Sequence, residues 1–177
     1  MQCYANSDTI AGQKTSTALG DRSDLSSNIN TINANWRSAA IMSCETIADG
    51  TLVGHKIAIA DYSTLTGSEK PTNLLWLTGL GITTESSTVK CYTYTIPHGV
   101  GLKTWTVYAD TNGINYSTIY FSSGVTYTYG KATTLTQTAT TFTFSPSEPL
   151  VGLYGYQDSN LHMNALGVIT YASSYCS

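Results

Sequence analysis

Between Gly155 and Asn164 the chain reads Gly-Tyr-Gln-Asp-Ser-Asn-Leu-His-Met-Asn. These side chains suit a hydroxylated ligand. A sugar presents neighbouring hydroxyls whose hydrogen bonds an Asp or Asn carbonyl oxygen accepts. Backbone N–H groups donate to its oxygens, and an aromatic ring covers its apolar face. Asp158 and Asn164 are the candidate acceptors. Gly155 opens the stretch, backbone groups at Tyr156 and Gln157 are candidate donors, and Tyr156 offers its ring. Each residue also has an architectural reading. Asn164 can cap the turn into the next strand. Asp158 begins an Asp-Ser-Asn run that suits an Asx-turn. Tyr156 can pack on its own loop, and His162 suits a surface position.

Other chemistry is poorly supplied. His55, His98 and His162 lie far apart and lack metal-ligand spacing. No GxSxG, HExxH or P-loop run occurs. A glycosidase needs two carboxylates about 5 to 10 Å apart, and nothing in the placement of Asp49, Asp61 and Asp110 pairs them. The expectation is a protein without enzymatic activity, metal or cofactor. Asn115-Tyr116-Ser117 is the sequence's single N-glycosylation sequon, which makes Asn115 a candidate attachment site.

The elements that must position these residues are strands. Alternating apolar runs occupy Ile114 to Phe121, Val125 to Tyr129, Thr140 to Phe144, Leu150 to Tyr154 and Ala165 to Tyr171. Ser122-Ser123-Gly124, Gly130-Lys131 and Ser145-Pro146-Ser147 separate them. Period-two runs broken by turn residues predict an antiparallel sheet with a long polar loop from Gly155 to Asn164. Upstream, strands are expected over Ala39 to Cys44, Val53 to Ala60, Leu74 to Gly79, Val89 to Ile96 and Leu102 to Tyr108. Val53-Gly54-His55-Lys56 before Ala60-Asp61 echoes Val100-Gly101-Leu102-Lys103 before Ala109-Asp110, as related units would.

The polar stretch before residue 39 has two readings. Leu25, Ile29, Ile32 and Trp36 fall at helical spacing after Ser23-Asp24, which fits an amphipathic helix from Asp24 to Arg37. Asn and Thr also alternate with Ile there, which fits an extended segment of poor helix propensity.

A chain of 177 residues suits one domain with a full core. Charged residues make up only 11%, against roughly 25% in ordinary globular chains, so hydroxyls and amides must cover the surface. With 8 basic residues and a net charge of −3, there is no basic stripe for nucleic acid. No apolar run approaches the roughly 20 residues of a membrane span. Cys3, Cys44, Cys91 and Cys176 form no CxxC pair. An even count in a Ser/Thr-rich chain points to two disulfides, in any of three pairings, and to an oxidising compartment. Met1 leads straight into polar residues, so no signal peptide is visible. The cysteines still favour a secreted or extracellular protein.

One stretch is more specific. Gly124-Val125-Thr126-Tyr127-Thr128-Tyr129-Gly130, a Thr-rich strand, Leu150-Val151-Gly152-Leu153-Tyr154-Gly155, the polar loop and Asn164-Ala165-Leu166-Gly167-Val168 follow in order. From Lys103 to Tyr171 this resembles the C-terminal part of a jacalin-related lectin domain. The resemblance implies an all-β fold, the β-prism I of three antiparallel Greek-key sheets, with an extra N-terminal segment. It divides the chain into an N-terminal extension or elaborated first strands (1–38), the prism (39–172) and a tail (173–177). Both chain ends meet in one sheet of such a prism, which favours Cys3–Cys176 with Cys44–Cys91. The implied function is glycan or glycoprotein binding by loops at one end of the prism, in a protein able to form homo-oligomers. The alternative is a self-assembling extracellular building block that binds no sugar. In such lectins an Asp stands where this chain has Asn164, and an N-terminal glycine-rich loop completes the pocket. The segment Ala109-Asp110-Thr111-Asn112-Gly113 matches a loop beside that pocket, adding Asp110 to the candidates. Asn112-Gly113 is equally the ordinary hairpin turn signal.

Overall fold

The computed structural model describes residues 3–14, 18–21, 24–25 and 32–176. Three antiparallel sheets share one core. Sheet I holds β4 (Trp36–Thr46), β5 (Leu52–Asp61), β6 (Leu75–Trp76), β7 (Leu80–Gly81) and β8 (Val89–Thr95). Sheet II holds β9 (Leu102–Asp110), β10 (Gly113–Phe121), β11 (Thr126–Gly130) and β12 (Thr138–Thr143). Sheet III joins β13 (Leu150–Gln157) and β14 (Met163–Tyr171) to β1 (Tyr4–Asn6), β2 (Ala11–Gly12) and β3 (Ala18–Gly20).

The orders along the sheets are β6-β5-β4-β8, β11-β10-β9-β12 and β1-β14-β13-β3. Counted from its central hairpin, each reads third, second, first, fourth, a Greek key. Sheet III follows the rule only when the count passes from the C-terminal end of the chain to the N-terminal end. This is the β-prism. Tyr4 registers with Tyr171, and Cys3 is bonded to Cys176 beyond that pair. Cys44 and Cys91, opposite one another on β4 and β8, form the second disulfide.

A repeated bulge exposes the internal symmetry. Near its start the first strand of each hairpin skips one residue in register: Ala39, Lys103 or Val151. The second strand does the same at Val53, Asn115 and Asn164. Bulges bend a strand and re-aim a side chain, so these positions mark corresponding points at the two ends of the prism. The sequence echo is out of phase with them. Val53 to Asp61 belongs to the second strand of its hairpin, whereas Leu102 to Asp110 is a first strand.

Three expectations change. The helix over Asp24 to Arg37 does not reach its end. Residues 26–31 lie outside the described residues, but Trp36 and Arg37 already pair with Asp61 and Ala60 in β4. Asn33 enforces the turn before them. Its Oδ1 accepts from Asn35 N–H at 2.9 Å and its carbonyl from Trp36 N–H at 3.0 Å. The strand over Leu74 to Gly79 is cut short, because Thr78 N–H and Oγ1 are drawn to Asp24 Oδ2 and Gly79 takes a φ of +74°. The long polar loop shrinks to Asp158 to His162, because β13 and β14 run on through Gln157 and from Met163.

The core is apolar except at its centre. His55 is fully buried, with Nδ1 2.9 Å from Ser43 Oγ, Nε2 3.0 Å from Ser117 Oγ and its ring edge-on to Trp105 at 4.8 Å. A neutral imidazole has one donor and one acceptor nitrogen, and a hydroxyl can match either. Burial pushes its pKa down to about 3, with a smaller upward pull from a hydrogen bond to the Met42 backbone. Asp21 ties the N-terminal segment in. Its oxygens accept from Gly79 N–H at 2.7 Å and Leu153 N–H at 2.8 Å. Burial nevertheless raises it to about 6, and those hydrogen bonds only partly offset the rise. Among the described residues no helix is long and apolar enough to cross a membrane.

Two predictions follow from this interior. Unfolding exposes His55, so its contribution is fully present above the ordinary pKa of 6.5 and is lost as pH falls toward 3. Asp21 acts in the opposite sense, stabilising as pH falls from about 6 toward 3.8. Chemical denaturation of His55→Gln and the parent between pH 6 and 4 should show their stability difference shrinking by about 1.4 kcal/mol per unit of acidification. Separately, thiol titration of the denatured, unreduced protein should find no free cysteine. Replacing Cys3 and Cys176 by Ser should cost about 3 to 5 kcal/mol in a urea unfolding curve, as expected for so long a closed loop.

Candidate functional site

The three hairpin turns project from one end of the prism. Two of them, Asp110–Gly113 and Asp158–His162, touch. A Cβ on Gly113 would lie 2.5 Å from Met163 O and 3.3 Å from His162 Cε1. The site expected from sequence is thus partly assembled, and its members divide by what already occupies them.

Asp158 builds the loop. Its Oδ1 accepts from Asn160 N–H at 2.9 Å and His162 N–H at 3.0 Å, and its carbonyl accepts from Leu161 N–H at 3.1 Å. Leu161 sits at φ +62°, the left-handed corner that closes the turn. Asp158 Oδ2 faces His162 Nδ1 at 3.9 Å. Asp110 is also committed, accepting from Asn112 N–H at 2.7 Å and from Thr133 Oγ1 at 2.7 Å. Burial pushes its pKa upward, but hydrogen bonds from Thr133, Asn112 and Asn115, with His162 nearby, hold the carboxyl below its ordinary value.

Gly155, Tyr156 and Gln157 are strand residues. Gly155 is buried, and a Cβ there would meet Ala165 O at 2.0 Å and Leu80 Cδ1 at 2.9 Å, so it offers a ligand no surface. Gln157 Oε1 accepts from Gly81 N–H at 2.9 Å, clamping sheet III to sheet I. Tyr156 alternates with Tyr154 on β13 and shares its face, the one on which Tyr154 Oη donates to Ser7 O at 2.6 Å.

Asn164 differs from all of these. It is the bulge residue of β14, half-buried, and its carbonyl accepts from Gln13 N–H at 3.0 Å. Its side-chain amide makes no hydrogen bond to the described residues. The turn is capped by Asp158 and not by Asn164, so the amide is left without a partner, on a residue whose Cα lies beside Gly113 of the neighbouring turn. The N-terminal strand completes the surroundings. Gly12, at φ +83°, lies so close to Asn164 that a Cβ would come within 2.1 Å of its carbonyl oxygen. No doubled glycine marks this contact in the sequence. Only pairing of β2 with β14 reveals it.

The sequon requires a correction. Asn115 is 6% exposed, its Nδ2 contacts Gly113 O at 3.5 Å, and its Oδ1 accepts from Gln137 Nε2. Ser117, the third sequon residue, is fully buried against His55. The folded protein has no room for a glycan on this amide. Among the described residues no group of three or more His, Cys, Asp or Glu is placed to hold a metal ion.

No family model matches the chain, and no curated protein matches its sequence. Solved structures do share its architecture. Frutapin, a lectin from Artocarpus incisa, is 10% identical over 97% of this chain and 98% of its own, with a TM-score of 0.60. A mannose-binding lectin from champedak is 14% identical over 96% and 97%, with a TM-score of 0.60. The Calystegia sepium agglutinin is 13% identical over 94% and 98%, with a TM-score of 0.59. At such identities the likeness is one of fold, the jacalin-type β-prism, over 94 to 97% of this chain.

The division of labour predicts opposite stabilities. Asp158→Ala strips two backbone hydrogen bonds from the turn and should lower stability by about 1 kcal/mol. Asn164→Ala removes a side chain with no partner and should change it by under about 0.5 kcal/mol. Thermal unfolding of the pair measures both.

Proposed function

We propose that this prism is a lectin-like carbohydrate-binding protein whose site lies where the Asp158–His162 and Asp110–Gly113 turns meet beside Gly12. The observation that supports this reading best is the uncommitted amide of Asn164, a bulge residue whose backbone lies against Gly113 and Gly12, next to two loops whose own acidic residues are already satisfied. An amide there offers both a carbonyl acceptor and an N–H donor to neighbouring hydroxyls. Exposed loop backbone and His162 are the further candidate contacts. Asp158 and Asp110 act as supports, and Tyr156 as a strand residue flanking the site. Two disulfides fit a secreted protein. The shallow surface implies millimolar to high-micromolar affinity per site, about −4 to −6 kcal/mol. Useful avidity then needs several sites presented together.

A second reading, assembly without sugar, has its own support on the outer face of sheet II. Cross-strand pairing lines up Thr128, Thr118, Thr106 and Thr141 in one row and Thr126, Tyr120, Thr104 and Thr143 in the next. These two rows carry no charge, and Tyr120 is 43% exposed. Sedimentation of the protein at rising concentration tests this reading. A monomer throughout removes it.

Titration with mannose, galactose and an acidic glycan, followed by amide chemical shifts, tests the first reading. Binding should perturb residues 158–164 and vanish in Asn164→Ala. Asn164→Asp should bind more tightly, because a carboxylate accepts stronger hydrogen bonds than an amide. Saturating glycan that perturbs no amide in that segment would refute the proposal.

A further inference from the structure

The candidate sugar residues do not line the cavity that the structure shows elsewhere. A cavity of about 420 Å³ opens at the opposite end of the prism. That volume is within the range of small-molecule sites, roughly 300 to 1,000 Å³. The start of β4, the 96–101 connection into β9, and the 144–149 connection into β13 converge there.

Its charge is one-sided. Arg37, Lys103 and His98 line it, and no Asp or Glu does, in a chain whose net charge is −3. Arg37 lies with its guanidinium carbon 3.9 Å from the centroid of the Tyr62 ring. It enters no salt bridge among the described residues, and its buried Nε has no hydrogen-bond partner. Tyr62 is braced in turn, its Oη donating to Ile96 O at 2.6 Å. A guanidinium stacked on a fixed ring is oriented before any ligand arrives, and its remaining N–H edge suits a planar two-oxygen acceptor. Lys103 is one of three corresponding bulge residues, with Ala39 and Val151, and alone among them carries charge. It is exposed and lies on the lining of the same cavity. The rest of the wall is mixed: Ile96, Val100, Leu102 and Phe144 supply an apolar side, and Asn35, Ser38, Ser122 and Ser145 a polar one.

We infer that this cavity binds a small organic carboxylate, Arg37 taking the carboxylate, Lys103 adding charge at the rim and the apolar wall covering the body of the ligand. The site is independent of the sugar site and of the reading proposed for it. His98 is engaged on its far side, its Nδ1 3.1 Å from Gly67 O, and serves as wall.

The probes are hexanoate and glucuronate, each beside its neutral counterpart, hexanol and glucose, in chemical-shift titrations of the intact protein. At least one carboxylate should shift amides of residues 96–103 with a dissociation constant below about 10 mM, and its neutral counterpart should bind at least tenfold more weakly. Hexanoate binding alone assigns an aliphatic acid, and glucuronate alone an acidic sugar. Arg37→Met keeps the aliphatic stem over Tyr62 and should weaken binding at least tenfold. Lys103→Met, at an exposed position, should weaken it about threefold without touching the core. Asn164→Ala, at the other end of the prism, should leave it unchanged. The inference is overturned if neither carboxylate binds, if a neutral counterpart binds equally well, or if both charge-removing variants bind like the parent. Loss of carboxylate binding in Asn164→Ala would overturn it too, by placing the ligand in the sugar site.

Discussion

The prism closes only because the two ends of the chain pair with each other. Sheets I and II are contiguous in sequence and could each form from local hairpins. Together they still leave the buried faces of Trp105, Ile57 and Ile119 open on one side. Sheet III covers that side, and it needs β1, β2 and β3 from the start of the chain against β13 and β14 from its end. A two-stranded β13–β14 ribbon alone would be marginal and would leave both edges unpaired. The Cys3–Cys176 bond and the Tyr4–Tyr171 register therefore sustain the core as a whole.

Three polar anchors make the closure specific. Asp21 reaches from the N-terminal segment to Gly79 of sheet I and Leu153 of sheet III. Gln157 joins sheet III to Gly81. His55 joins β4 to β10 through Ser43 and Ser117. Each contributes little net energy while intact. Breaking one leaves a buried group unpaired, which is costly, so mispaired sheets are disfavoured more strongly than the native arrangement is stabilised. Asp21 and His55 hold uncommon protonation tendencies for the same reason, burial, and with opposite sign in stability.

The repeated bulges connect this architecture to binding. Each hairpin bends at both ends, and the bend turns one side chain out of the ladder. At the turn end those positions carry Val53, Asn115 and Asn164. The first is apolar, the second is locked by Gln137, and only the third is open. At the opposite end they carry Ala39, Lys103 and Val151, and only Lys103 is charged. A symmetric scaffold thus offers equivalent positions, and the side chains break the equivalence.

Much of the fold was legible from residues 114 to 171, because strand alternation and turn residues are local and each strand there fills its own run. All-β character follows from such patterns, and the two disulfides from the even cysteine count. The short runs upstream were less legible. Leu75–Trp76 and Leu80–Gly81 are too brief to alternate, and Gly12 is a lone glycine whose meaning rests on a partner at position 164. Composition and motif could not tell which polar residues were free. Asp158 and Asp110 read equally as ligands or turn residues and hold their own turns through hydrogen bonds, the sequon residue Asn115 is buried, and Arg37 stood only as the end of a candidate helix. Residue type and spacing are written in the chain. Whether a donor or acceptor has already found a partner depends on residues far away in sequence, and only the closed prism decides it.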